Sequence, residues 1–259
     1  MKRIALLILI LAYGVPAWAA APAVVQCKAT DDFTNSISVS FDSTPTVGHH
    51  LIAGVAGSRA SIDGSTASFA SISDNQGGGA NTYQIDLNHP YNDFNNRALL
   101  GFASSKLAVA SGTFTVSMSV TADGALFTNY TICEVSNLAT SVWFDGSAVC
   151  DTDASASCTA TRGAGNTTNN AFVLALLNGQ TDTVAGDPTS GYTSLELNNG
   201  GFLIESTAYK ILTSTETTSA TWTGTTPPTY LVTSGLAVYK GIDSAPPPSD
   251  STSLLTGVN

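Results

Sequence analysis

The feature that most limits the fold is a two-residue alternation of apolar and hydroxyl side chains. In residues 113–120, Phe114, Val116, Met118 and Val120 fall on one side of an extended chain, and Thr113, Thr115, Ser117 and Ser119 fall on the other. Residues 36–41 repeat the pattern with Ile37, Val39 and Phe41. Successive strand side chains point to opposite faces, so each stretch predicts a strand with one face in a core and one in water. Between Ala21 and Lys240 no long stretch carries apolar residues at helical spacing. Charged residues make up only 11% of the chain, whereas Thr, Ser, Gly and Asn are abundant, a composition suited to exposed sheet faces.

Further strands are predicted over 24–30, 51–56, 68–73, 97–104, 126–135, 142–149, 171–177, 202–212, 217–223 and 231–239. The run 126–135 is partly apolar on both faces, which places it centrally. Turn-rich segments at 92–96, 163–170, 186–191 and 198–201 separate the strands. About a dozen short strands with turn signals between them predict an all-β, two-layer antiparallel β-sandwich. The strand number favours a jelly-roll-like arrangement, with an immunoglobulin-like Greek key as the alternative.

The two ends differ from the middle. Lys2 and Arg3, the apolar run 4–12, the breakers Gly14 and Pro16 and the small residues Ala17 and Ala19 predict a secretory signal peptide over 1–19. That run is too short to span a bilayer, and no later apolar segment is long enough. The expectation is an exported protein, secreted, extracellular or periplasmic, with no membrane insertion after signal cleavage. One β-sandwich domain is expected over 20–241. Beyond it, Pro246, Pro247 and Pro248 with the polar residues around them read as a Pro/Ser-rich flexible tail over 242–259. Signal removal takes two of nine basic residues and none of nineteen acidic ones, so the formal charge deepens from −10 to −12. Such an acidic surface repels nucleic acid and anionic lipid but can take a cation.

Cys27, Cys133, Cys150 and Cys158 remain after cleavage, an even number that reads as two disulfides in an exported chain. Cys150 and Cys158 bracket a short loop and suit a local bridge, which leaves Cys27 for Cys133. No Cys-x-x-Cys and no paired Cys/His spacing points to zinc or thiol redox chemistry.

Residues 47–83 combine an apolar strand, a second strand and the turn Asp74-Asn75-Gln76-Gly77-Gly78-Gly79-Ala80 before Asn81-Thr82-Tyr83. This reads as a hairpin, since Gly and Asn tolerate the positive φ of tight reversals. Val47-Gly48-His49-His50-Leu51-Ile52 and Ser71-Ile72-Ser73-Asp74-Asn75 with Asn81-Thr82-Tyr83 resemble a β-sandwich module of exported bacterial and phage-associated proteins. In that module an apolar strand precedes a Ser-x-x-Asp-x-x-Gly-Asn-Thr-Tyr hairpin; here Gly78, Gly79 and Ala80 are inserted before Asn81. Residues 132–138, 171–175 and 206–210 resemble its middle and final strands, so the resemblance covers most of 36–240. It implies a β-sandwich and an adhesive or structural role.

Candidate chemistry is sparse. Asp74, Asn75 and Asn81 could offer oxygens to Ca²⁺, the one cofactor the residues suggest; the alternative is that they close the turn through their own hydrogen bonds. Asp145, Asp151 and Asp153 form a second acidic group. With only His49, His50 and His89 and no Gly-x-Ser-x-Gly, a serine hydrolase is disfavoured. Glycosidase carboxylates would come from Glu134, Glu196, Glu205 and Glu216, with Glu134 and Glu205 preferred because burial would raise their pKa. The most site-like aromatic run is Tyr91, Asn92, Asp93, Phe94 and Asn96, where rings could stack on a sugar and amides bind its hydroxyls. No catalytic set emerges. The sequence favours a non-catalytic structural or adhesive protein, a surface or fibre subunit assembling by strand addition through its N-terminal residues 20–25. Its partners would be further copies of itself or a cell-surface glycan. The alternative is a carbohydrate-binding module or a carbohydrate-active enzyme.

Overall fold

The computed structural model describes residues 20–60, 67–77, 79–93, 96–152, 157–162, 170–179, 188, 191–198, 204–223 and 232–242. The predicted signal peptide and residues 243–259 of the predicted tail lie outside them. Every strand pairing within the described residues is antiparallel, and no helix occurs among them.

The strands form four sheets stacked in series. A first inner sheet has the order β1 (Ala23–Asp32), β8 (Phe127–Ser136), β3 (His50–Ala60), β6 (Asn96–Lys106) and β5 (Gln84–Asp93). A first outer sheet, β2 (Ser36–Ser40), β7 (Thr115–Thr121) and β4 (Ser68–Asp74), covers one of its faces. A second inner sheet has the order β12 (Thr193–Asn198), β13 (Ile204–Leu212), β11 (Ala171–Gly179), β15 (Val232–Lys240) and β9 (Phe144–Thr152), and β10 (Ser157–Thr161) with β14 (Ser219–Thr223) forms the second outer sheet. The expected antiparallel sandwich is present, doubled into a stack whose two inner sheets meet face to face.

Three apolar clusters fill the gaps between layers. Leu51, Val55, Leu99 and Tyr130 of the first inner sheet pack on Phe69, Val116 and Met118 of the first outer sheet. The opposite face supplies Ile52, Leu100, Phe102 and Val135 to a central seam with Phe172, Leu174, Leu176 and Tyr239. Beyond the seam, Val173, Leu177, Leu236 and Val238 pack on Ala160, Ala220 and Trp222 of the second outer sheet. The sheets approach so closely at the seam that a Cβ on Gly54 would lie 2.6 Å from Leu176 Cδ1, and one on Gly235 would run into Leu100 Cδ2. Every outward position of β2, β7, β10 and β14 is Ser or Thr. Hydroxyls pair across these strands, Ser38 with Ser117 at 2.8 Å and Thr159 with Thr221 at 3.0 Å.

The stretch read as a hairpin is not one. β3 and β5 belong to the first inner sheet, whereas β4 pairs with β7 in the first outer sheet. The Asp/Gly turn carries the chain between layers, because turn residues encode a reversal and leave the pairing partner to the strand faces. β4 alternates hydroxyls outward and Phe69 and Ile72 inward, and this fits it to β7, whose Ser119 hydroxyl meets Ser71 at 2.7 Å. Three further strands, β5, β10 and β12, occupy segments in which no strand was expected.

The two halves of the chain share one topology. Reading β9, β10, β11, β12, β13, β14 and β15 as counterparts of β1, β2, β3, β5, β6, β7 and β8 turns one inner-sheet order into the other. The bulges agree too: β1 carries an extra residue between Val24 and Gln26 opposite Val135 and Glu134, and β9 one between Phe144 and Gly146 opposite Tyr239 and Val238. β5 bulges between Ile85 and Leu87, and β12 between Ser194 and Glu196. Matching the bulges sets Ala53, flanked by Ala103 and Ile132, against Ala175, flanked by Ala208 and Leu236. Bulges are positioned features of a sheet, so agreement at both marks a duplicated unit.

Both disulfides pair as expected, Cys27 with Cys133 across β1 and β8, and Cys150 with Cys158 between β9 and β10. Two disulfides suit an oxidising, extracytoplasmic environment. The N-terminal residues expected to reach a neighbour are instead seated at home: Ala23 and Val24 pair with Ser136 and Val135.

Adding a methyl group at the seam tests this packing. Gly235→Ala should lose about 1–3 kcal/mol of stability in urea unfolding, the usual range for overpacking a core. An unchanged midpoint would mean that the inner sheets do not approach as closely as Leu100 and Gly235 require.

Candidate functional site

The turn after β4 leads into a concavity of about 350 Å³ lined by Ile72, Ser73, Asp74, Gly77, Gly79, Asn81, Thr82 and Tyr83. Asp74 is its centre. Its Oδ1 accepts from the Gln76 N–H at 2.9 Å, and its Oδ2 accepts from the Asn81 amide at 2.8 Å and the Tyr83 hydroxyl at 2.6 Å. Asn81 Oδ1 accepts from the Ala108 and Val109 N–H groups at 2.7 and 3.0 Å. Asn75 Oδ1 accepts from the Thr115 N–H at 3.1 Å. Burial, then the hydrogen bond to Asp74 and its charge, push the Tyr83 phenol far above its ordinary pKa. The oxygens considered for Ca²⁺ therefore meet protein donors and join the turn to the loop after β6. Among the described residues no three His, Cys, Asp or Glu side chains gather at metal-binding spacing.

The aromatic run lies elsewhere, on an edge strand. β5 extends through Asp93, with Asn92 opposite Arg97 and Asp93 opposite Asn96, so the run closes a hairpin with β6 and is not an open loop. Tyr91 is half-buried on that strand, and Phe94 lies outside the described residues. Pro90 is compatible with this because edge strands tolerate a missing N–H. The strand signal was Ile85, Leu87, His89 and Tyr91 at period two, hidden by Pro90 and by the bulge at Asp86.

The two preferred carboxylates do not converge. Glu134 alternates with Ile132 and Tyr130 toward the first outer sheet, whereas Glu205 faces the seam. Burial alone would raise the Glu134 pKa, but the Thr46 N–H, the Gln26 amide and His49 all bond its carboxyl and hold it below the ordinary value, against expectation. His49 Nδ1 lies 2.7 Å from Glu134 Oε1. His50 is 1% exposed beside Trp143; burial, then Lys106 and His49, lower its pKa to about 4.

Glu205 behaves as expected and has company that the sequence did not reveal. It is 1% exposed, its Oε1 accepts from Asn178 Nδ2 at 3.0 Å, and burial followed by the charges of Asp31 and Glu196 raises its pKa to about 8. Glu196 is pushed up by burial and by Asp31, while its Oε2 accepts from Asn129 at 3.1 Å. These groups come from β1, β8, β11, β12 and β13 and close one side of the seam. The other side is closed by His89 Nε2, 2.7 Å from Asp151 Oδ2, with Thr233 donating to Asp151 Oδ1 at 2.7 Å. Glu216, the fourth carboxylate considered, pairs with Lys210 at 2.9 Å.

The chain matches no family model, no curated protein and no solved structure. The resemblance to exported β-sandwich modules therefore extends only to an all-β protein of several antiparallel sheets, and no family is identified.

Protonation of Glu205 sets a pH dependence with a definite sign. Its folded pKa lies above the unfolded value, so the folded state binds the extra proton, and stability falls as pH rises from about 4.5 to about 8. Glu205→Gln should flatten this fall and melt above the wild type at alkaline pH. Parallel melting curves for the two proteins across that window would show that Glu205 is not neutral in the fold.

Proposed function

We propose that the chain is an exported, non-catalytic structural or adhesive protein that acts through its surfaces and associates with further copies of itself. The observation that carries this reading is the chemistry of the outer sheets. Both present hydroxyl-rich faces in which every outward residue of β2, β7, β10 and β14 is Ser or Thr. On a mature chain of formal charge −12 such faces can approach a neutral surface without repulsion. Asp74, Asn81, Glu134 and Glu205 are instead hydrogen-bonded to neighbouring protein groups, which suits a rigid scaffold. The two disulfides and the N-terminal signal pattern support export, to the periplasm or beyond. The likeness to exported sandwich modules points the same way. For strand addition, the donor role assigned to residues 20–25 passes to the edge strands β1, β5, β9 and β12.

A second reading, carbohydrate binding, draws on the concavity beside Tyr83. It combines an aromatic ring with Asp74, Asn81 and Thr82 at the end of the first outer sheet.

Light scattering of the mature protein over a wide concentration range, with a glycan panel in parallel, separates the two. The first reading expects mass that grows with concentration, particles that persist in salt, and no turnover of any glycan. A monomer at the highest concentration that binds or cleaves a panel member would overturn it in favour of the second.

A further inference from the structure

The two halves are joined by a connection that is short and strained. Every strand ladder lies within one half, β1 to β8 or β9 to β15, and each disulfide also lies within one half. Between the halves run the seam and a single isolated bridge, Leu138 to Gly241, among the described residues. The two described non-glycine residues with positive φ are Asn137 (φ 60°) and Val142 (φ 50°), and both sit in this connection. Asn adopts that conformation readily, but a β-branched side chain there is a true outlier. Val142 is also 76% exposed, so no packing of its side chain explains the strain. It turns the chain so that the Trp143 carbonyl accepts from the Lys240 N–H at 2.7 Å and the Trp143 ring lies beside His50.

We propose that this chain exchanges halves with a second copy of itself. Residues 139–142 extend, and the β9–β15 unit of one molecule packs on the β1–β8 unit of another through the same inner-sheet seam. This deepens the self-association part of the functional reading but places the joint in the seam, not at the sheet edges. Three observations select a second copy as the partner. First, the seam surface exposed on opening, with Leu100 over Gly235 and Gly54 over Leu176, is complementary to the other half of this chain. Second, separating the halves breaks no strand ladder and no disulfide. Third, extension of the connection releases Val142 from its left-handed conformation, and short strained hinges favour exchange.

The test is refolding of the full mature chain from denaturant, disulfides intact, at low and high concentration, with dimer yield read by light scattering. Wild type should give a dimer that increases with refolding concentration and persists on dilution. Val142→Gly, and separately a Gly-Ser-Gly insertion after Ser141, should lower the yield by roughly tenfold, because each removes the strain. Deleting Thr140 and Ser141 should make the dimer predominate, since the shortened connection no longer lets the halves meet in one molecule. A wild type that yields only monomer at every concentration overturns the proposal. So does a dimer yield that is the same in wild type, Val142→Gly and the insertion variant, a comparison that holds even where the deletion variant fails to fold. A dimer that dissociates on dilution and ignores the connection is edge-to-edge association: it overturns exchange and leaves the self-association reading standing.

Discussion

The architecture rests on burying two antiparallel sheets on both faces. An antiparallel sheet commonly keeps one face in water, and its strands then alternate. Here β3, β8, β11 and β15 are covered on both sides; β3, β11 and β15 run mostly apolar or small, as in Leu51-Ile52-Ala53-Gly54-Val55-Ala56, whereas β8 buries Thr128, Asn129, Thr131 and Glu134 among its apolar residues. Close approach then requires gaps in the side-chain surface. Gly54 and Gly235 supply them at the seam, and Gly101 lets Phe69 rest on the first inner sheet. Several polar groups caught between layers find partners there, which offsets the cost of burying them, while Asn178 Oδ1 and the Trp222 indole N–H have none among the described residues. The Tyr239 hydroxyl meets Asp86 at 3.0 Å, and Thr131 meets Thr207 at 3.1 Å.

Duplication explains why the stack has this form, and divergence explains its asymmetry. Superposing the bulges makes Asp31 the counterpart of Asp151 and Asn129 the counterpart of Thr233. Each aspartate lies at an edge of the seam, facing the edge strand of the other half. Asp151 meets a histidine; Asp31 meets two glutamates. One side of the joint is therefore a histidine-aspartate contact, and on the other burial, followed by neighbouring negative charge, raises the pKa of Glu196 and of Glu205. The seam can tolerate this because a protonated carboxyl is no buried charge, and Asn178 and Asn129 supply hydrogen bonds.

Legibility followed the number of buried faces. The outer strands β2 and β7 alternate and could be read directly, and the inner strands β3, β11 and β15 were visible as apolar runs. β10 was missed although Ser157-Cys158-Thr159-Ala160-Thr161 alternates, because its cysteine was assigned to a loop. β12 is short and polar. The repeat was invisible because the seam constrains the summed volume of facing residues and not each one: Gly54 corresponds to Leu176 in the other half and packs against it. The same limit applied to the acids. Burial of Glu134 and Glu205 could be inferred from their apolar neighbours; for Glu205 burial sets the sign of the pKa shift and Asp31 and Glu196 add to it, whereas for Glu134 the sign is reversed by groups distant in sequence, the Thr46 N–H, Gln26 and His49. The disulfides were readable because pairing is a question of parity and reach, not of chemistry.

A scaffold of this kind separates its interior chemistry from its exterior. Histidines and acids that in a cleft would suggest catalysis lie in or beside the layers, where His49 meets Glu134, His89 meets Asp151 and Asn178 donates to Glu205. The exterior left over is hydroxyl-rich on both outer sheets and carries strand edges at the flanks. A hydroxyl face binds weakly per contact, since each hydrogen bond it makes replaces one to water. Useful affinity then comes from repetition, many equivalent contacts held in register by a rigid sheet or by linked copies. On the proposed reading, self-association and adhesion would be one requirement: a face that is weak in a monomer would become effective when copies are joined, and the conformational strain at Val142 lies at the one place in the described chain where joining by exchange would relieve it.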